Sequence, residues 1–181
     1  MKDKIIYISG KDRSGKSKAA EILQTMGYKT FECGGVVRRE YEKLIDIEQI
    51  LSISDFYQSE EKQLNSLIYQ EIKDLINNST PDLKMAIVGV RSMNLFSILT
   101  QKFPPLFILY ILSHEEIRYQ RHLDNNKGFD KLSLALFKFR DIQQQKWGLE
   151  DIMRKSEIIE NNSSIIRFEE NLKEIYAKRC L

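Results

Sequence analysis

The run Gly10-Lys11-Asp12-Arg13-Ser14-Gly15-Lys16-Ser17 fits the pattern G-x-x-x-x-G-K-[ST] at every defined position. It constrains the fold strongly, because the pattern functions only between a strand and a helix. Both flanks comply. Ile5, Ile6, Tyr7 and Ile8 form a short apolar strand before it, and Ala19, Ala20, Ile22 and Leu23 mark one face of a helix after it. Such a strand–loop–helix turns successive backbone N–H groups and a helix N-terminus toward one point, which suits a chain of phosphates. Gly10 and Gly15 let the backbone wrap closely, Lys16 reaches the outer phosphates, and the Ser17 hydroxyl is placed to ligate Mg²⁺. A nucleoside triphosphate held by residues 10–17 is the expected ligand.

Downstream, strands alternate with helices, which predicts a parallel sheet covered on both faces. Tyr28 to Glu32 reads as a second strand broken by Gly34-Gly35, followed by a short helix over Val36 to Leu44 carrying Arg38 and Arg39. Ser54 to Asn77 reads as one long helical stretch, ended by the turn residues Asn77-Asn78-Ser79-Thr80-Pro81. Met85 to Val90 and Leu106 to Leu112 are apolar runs suited to central strands. Ser113-His114-Glu115-Glu116 reads as a capping box opening a helix. Ser156 to Glu160 is the last predicted strand and Glu169 to Lys178 the closing helix. The expected fold is a three-layer α/β/α domain spanning 1–181, with a helical cover at about 33–81 and a short lid at about 122–140.

Composition narrows the function classes. A chain of 181 residues buries one ordinary core, and its 28 basic and 26 acidic residues announce no surface for nucleic acid. No apolar stretch approaches the roughly 20 residues needed to cross a bilayer. Met1-Lys2-Asp3-Lys4 runs straight into the first strand, which argues against a signal peptide. Cys33 and Cys180 lie far apart with no metal-ligand spacing, so a reducing cytoplasm is the simplest compartment.

Four segments point to the chemistry. In Glu32-Cys33-Gly34-Gly35-Val36-Val37-Arg38-Arg39-Glu40, Arg38 stands at a helix start directly after a strand. The segment resembles the acceptor-site Gly-Asp-x-x-Arg of nucleoside monophosphate kinases, and more closely the Gly-Asp-Val-Val-Arg of archaeal dephospho-CoA-kinase-like proteins. The resemblance implies that Arg38 holds the acceptor's phosphate, a task suited to the planar guanidinium fork. Ile87-Val88-Gly89-Val90-Arg91-Ser92 is similar to the Asp-Gly-x-Arg-Ser segment of the same family, which puts Arg91 on the acceptor phosphate as well. Arg118 and Arg121, one helical turn apart, and Arg140 beside Asp141 match the basic lid that neutralises the transferring group. His122 has no partner pattern and reads as a surface residue. Ile158-Ile159-Glu160-Asn161-Asn162-Ser163 looks like the turn after the last strand of dephospho-CoA kinases, which places Asn161 near the adenine.

The departures are specific. Gly35 and Val88 stand where the family carries aspartates that organise Mg²⁺ or accept a proton. Glu32 and Asp12 are the nearby acids available to substitute. An acid inside a triphosphate loop repels phosphate unless Mg²⁺ or Arg13 offsets it, so Asp12 is alternatively turned out to solvent. The leading expectation is an ATP-dependent kinase acting on a small phosphorylated acceptor, either a nucleoside monophosphate or a dephospho-CoA-like molecule. Lys16 and Glu32, with Arg118, Arg121 and Arg140, would carry the catalysis, in a monomer or homodimer. The competing expectation is a catalytically weakened nucleotide-binding protein that switches a partner interaction. A GTPase is discounted, because Asn126-Lys127-Gly128-Phe129-Asp130 has one residue too many for a guanine-reading segment.

Overall fold

The computed structural model describes residues 4–44, 52–124 and 133–180. Five parallel strands form one sheet: β1 (Ile5–Ser9), β2 (Lys29–Glu32), β3 (Met85–Val88), β4 (Phe107–Leu112) and β5 (Glu157–Glu160), in the order β2-β3-β1-β4-β5. Every residue of β1 is buried, as expected of a central strand covered on both sides. Alternation along it divides the core. Ile6 and Ile8 face α1 (Lys16–Thr25) and α9 (Ile165–Cys180) through Leu23, Phe168 and Leu172. Ile5 and Tyr7 face the opposite layer, where Ile68, Ile72 and Leu99 pack. That layer comprises α2 (Cys33–Glu42), α4 (Glu61–Asn77), α5 (Met93–Lys102) and α8 (Leu149–Met153), and α3 (Ile53–Ser59) packs on α2 and α4. The architecture is the expected three-layer α/β/α fold. The chain leaves β1 for β2 on one side and reaches β4 on the other, so β1 ends at the topological switch point where α/β sheets bind ligands.

Several elements differ from expectation. The stretch from 54 to 77 is two helices, not one: α3 ends at Ser59, whose hydroxyl donates to the Phe56 carbonyl 3.0 Å away, and α4 starts at Glu61. The break lets Phe56, Tyr57 and Leu64 converge into a small cluster of their own against Val37, Tyr41 and Trp147. Helix α2 starts at Cys33, so Gly34 and Gly35 lie in its first turn instead of ahead of it. The box at Ser113 is not formed as read. That hydroxyl donates to the Asn161 carbonyl at 3.0 Å, while the His114 N–H is taken by Asn162 Oδ1 at 2.8 Å at the start of α6 (Glu115–Asp124).

Helices α5, α7 (Leu134–Lys146) and α8 have no counterpart among the predicted elements. Helix α7 departs from the usual pattern: beside Phe137 it buries Asp141, Gln143 and Gln144, and it exposes Leu136, Phe139 and Ile142. Apolar periodicity cannot find such a helix. The central part of the expected lid, the Asn126–Asp130 segment and residues 45–51 of the expected cover lie outside the described residues. Among the described residues, no helix is long and apolar enough to cross a membrane.

Candidate active site

The loop after β1 is built by backbone constraints that its glycines satisfy. Gly10 takes φ +138°, and a Cβ there would stand 2.6 Å from the Ile111 carbonyl oxygen. Gly15 takes φ +109°, and a Cβ there would meet Asn161 Nδ2 at 2.1 Å. Both positions exclude a side chain by conformation and by space. Arg13 also has positive φ, at 61°. Helix α1 then starts at Lys16, which is buried, and Ser17 is exposed on the cavity wall.

Three side chains from other elements hold this loop from behind. Asn161, after β5, donates from Nδ2 to the Ser14 carbonyl at 2.8 Å. Arg121 donates to the carbonyls of Arg13 and Ser14, both at 3.3 Å, and to that of Asn161 at 2.9 Å. Arg118 is 2% exposed and donates to the Asp12 carbonyl at 3.1 Å and the Ser113 carbonyl at 3.1 Å. Its remaining donors form a two-point pair with Asp141 of α7, over the Phe137 ring. The helical spacing of Arg118 and Arg121 thus does aim both at one target, the loop backbone. Lys11 reaches Asp141 as well, at 3.5 Å.

Asp12 points inward. One carboxylate oxygen lies 2.8 Å from Arg91 Nη2, and the other accepts from Gln144 Nε2 at 2.9 Å. Burial works against its charge, but Arg91, then Lys16 and Arg140, with the Gln144 amide, hold the carboxyl well below the usual range. The solvent-facing alternative for Asp12 is therefore replaced by a buried-side ion pair. Lys16 donates from Nζ to the carbonyls of Gly10 at 2.8 Å and Lys11 at 2.5 Å. Burial and the nearby Arg91 push its pKa down to about 7 against the pull of Asp12.

A cavity of about 1000 Å³ opens beside the loop. Lys16, Ser17, Arg38, Arg91, Arg121 and Arg140 are among the residues that line it. Arg38 is half exposed and lies 3.5 Å from Glu32. In the sheet, Glu32 is in register with Val88, and a Cβ on Gly35 would stand 3.9 Å from Glu32 Cβ. Glu32 thus neighbours both Gly35 and Val88, the two positions at which the resemblance leads one to expect an aspartate. His122 is 4% exposed, not a surface residue; it packs between Tyr119 and Phe137 and lines the cavity. Of the polar residues on the 54–77 stretch, Ser54 and Tyr57 line the cavity. Asn65 is buried behind Tyr57, Gln58 and Gln63 are exposed, and Tyr69 stacks on Phe103.

Sequence reasoning missed Gln144 and Trp147. Gln144 lies one turn beyond Asp141 on α7, a spacing that becomes informative only once Asp141 is known to face the loop. Among the described residues, no group of three or more acidic, histidine or cysteine side chains is placed to hold a metal ion. The donor set present, one serine hydroxyl beside a phosphate-binding loop, fits Mg²⁺ that arrives with a triphosphate and keeps most of its waters.

No protein-family model matches the chain. A UPF0200 protein of Pyrobaculum aerophilum is 26% identical over 170 residues, covering 93% of this chain and 94% of its own. A shikimate kinase from Acinetobacter baumannii, solved in complex with shikimate, superposes with a TM-score of 0.61 at 14% identity, over 97% of this chain and 92% of that one. Dephospho-CoA kinase from Campylobacter jejuni gives 0.53 at 18% identity, over 97% of both chains. The chain therefore has the fold of P-loop kinases, and along nearly its whole length it is similar to an archaeal UPF0200 protein.

Proposed function

We propose that this protein is an ATP-dependent phosphotransferase that passes the γ-phosphoryl group to a small phosphorylated acceptor, a nucleoside monophosphate or a dephospho-CoA-like molecule. The observation that carries the reading is one cavity whose lining brings Lys16 and Ser17 of the loop together with Arg38 and Arg91. Donor and acceptor phosphates held there face each other, and phosphoryl transfer is catalysed mainly by such positioning and by charge neutralisation. Mg²⁺-ATP binds residues 10–17, with Ser17 on the metal and Asn161 behind the loop. Arg38 and Arg91 hold the acceptor phosphate, and binding frees Arg91 from Asp12. Arg121 and Arg140 face the transferring group. Arg118, with its donors committed to Asp141 and to backbone carbonyls, is a positioning residue that fixes the loop.

Glu32 is the proposed base, drawn out of its exposed pair with Arg38 when an acceptor phosphate takes that arginine. Residues 33–81 serve as the acceptor-side cover and 122–140 as the lid of a single cytoplasmic domain, monomeric or homodimeric. The test is ADP release with Mg²⁺-ATP across ribo- and deoxynucleoside monophosphates and dephospho-CoA, with Lys16→Ala alongside. Acceptor-dependent release lost in the variant is the expected result. Release that survives Lys16→Ala overturns the assignment of the loop.

A second reading has its own support: Gly35 and the buried Val88 offer no carboxylate where the related kinases have two. A nucleotide-dependent switch that no longer transfers phosphate gives tight, largely metal-independent nucleotide binding and no acceptor-dependent ADP release.

A further inference from the structure

The pattern of the phosphate loop leaves residue 13 open to any side chain. The chain places an arginine there at a conformational cost. Among the described residues, Arg13 is the one non-glycine with positive φ, at 61°. In that left-handed region a Cβ crowds the following carbonyl, and glycine would take the same turn without strain. The strained peptide is held from behind. Arg121 donates to the carbonyls of Arg13 and Ser14, both at 3.3 Å, and Asn161 donates to that of Ser14 at 2.8 Å. Backbone strain that the surroundings enforce points to a side chain needed at that place.

The Arg13 side chain is partly exposed and lines the cavity with Lys16 and Ser17. Its guanidinium makes no hydrogen bond or ion pair among the described residues. Neighbouring arginines are engaged. Arg118 is spent on Asp141 and on the carbonyls of Asp12 and Ser113. Arg121 lines the cavity too, but both of its terminal nitrogens donate to backbone carbonyls. Arg91 pairs with Asp12, and Arg38 with Glu32.

We infer that Arg13 is a further catalytic residue, whose guanidinium bonds two oxygens of the γ-phosphoryl group and stays on them as their charge rises during transfer. A loop that wraps its backbone around a triphosphate carries its own side chains to the outer phosphates, without any closing movement. The planar fork holds two oxygens at once. Nothing has to be detached for Arg13 to make this contact, whereas Arg118 would have to leave the buried Asp141. In the transfer, the acceptor oxygen bonds the γ-phosphorus and the bond from that phosphorus to the β–γ bridging oxygen breaks. ADP leaves with the electron pair, a proton lost by a hydroxyl acceptor goes to Glu32, and Arg13 gives up none. The catalytic part rests on the phosphotransferase reading; the contact with a γ-phosphate is measurable by binding alone.

The intact protein and its Arg13→Gly variant are compared by thermal unfolding without nucleotide, and by calorimetry with Mg²⁺-ADP and with a non-hydrolysable Mg²⁺-ATP analogue. Steady-state ADP release with the acceptor that the panel identifies completes the comparison. The variant is expected to unfold about 2–4 °C higher, because the strain is gone. ADP affinity should stay within about twofold, whereas the analogue, which alone carries a γ-phosphoryl group, should bind about tenfold more weakly. The kcat should fall by about 10²–10³ with the acceptor KM unchanged. Arg13→Lys keeps the charge without the fork and should recover only part of kcat. Arg13→Asn, tolerated at positive φ, should repeat the losses of Arg13→Gly and so exclude a merely loosened loop.

Equal weakening of ADP and the analogue overturns the inference, as does wild-type kcat in Arg13→Gly or Arg13→Asn. A lower unfolding temperature for Arg13→Gly overturns it too, by making Arg13 a residue of the fold. The two readings fail separately. ADP release that continues at full rate without Arg13 keeps the phosphotransferase and removes this residue from it. A wild type that no acceptor stimulates, yet prefers the analogue over ADP through Arg13, loses the phosphotransferase and keeps the γ-phosphoryl contact.

Discussion

The two walls of the cavity are made differently. The donor wall is backbone, bent into shape by glycines at φ +138° and +109° and braced from behind by Asn161, Arg121 and the buried Arg118–Asp141 pair. The proposed acceptor side is made of side chains from α2, α3, α4, α5 and the end of α7, and its Arg38 pairs loosely with Glu32, both half exposed and 3.5 Å apart. A preformed backbone cradle binds any triphosphate with little reorganisation, whereas loosely paired exposed charges exchange partners at small cost. The loop is therefore preformed, whereas the proposed acceptor side is held by pairs that exchange partners easily.

Four changes sharpen or break this contrast. Lys16→Ala, which strikes the donor wall itself, is expected to lower turnover by about 10²–10³ or more, by analogy with the removal of a preorganised charge-stabilising group. ADP release measures it, and a loss under tenfold would show the loop to be dispensable. Arg118→Met is expected to destabilise the fold by about 3–5 kcal/mol, because it leaves Asp141 buried without its partner. Adding Asp141→Leu should recover much of that loss in denaturant unfolding. Additive effects of the two changes would mean that the pair does not brace the loop.

The third change is pH. Lys16 has a folded-state pKa of about 7 against an ordinary 10.5, so between these values the unfolded chain holds more protons. Through this group, stability therefore rises with pH across that window, and Lys16→Ala should flatten the rise. A bound triphosphate restores the charge. Nucleotide affinity should fall by up to about tenfold per pH unit above 7, with proton uptake visible by calorimetry in buffers of different ionisation enthalpy. Affinity independent of pH from 7 to 9 would refute the buried, depressed lysine.

The smallest effect belongs to the acceptor wall. Arg38→Ala should change stability by less than about 1 kcal/mol, as for other exposed ion pairs, while sharply weakening acceptor binding. A large loss of stability instead would mean that this wall is as rigid as the other.

The legibility of the molecule follows the same division. The loop from Gly10 to Ser17 was readable because backbone constraints at Gly10 and Gly15 act locally and leave a pattern of residue types. The central strands were readable because β1, β3 and β4 are short apolar runs between turn signals, and β3 and β4 came within two residues of their predicted ends. Helix α7 was not readable, since it exposes Leu136, Phe139 and Ile142 and, apart from Phe137, buries polar side chains. The arginines at 118 and 121 were identified as a pair, but their destinations were not. A helix carries both to the loop carbonyls, and only the arrival of Asp141 from α7 holds Arg118 off the cavity, whose lining retains Arg121.

By itself, then, the sequence determined the glycine-bent loop after β1 and the parallel sheet, because local backbone geometry and the alternation of apolar runs are properties of neighbouring residues. Tertiary structure alone decided that Asp12 turns inward to Arg91, that His122 is buried, and that Trp147 stands against Tyr57 across the acceptor wall. Those contacts join residues far apart in the chain. Their energies come from burial and charge pairing, which no residue has until the layers close around it.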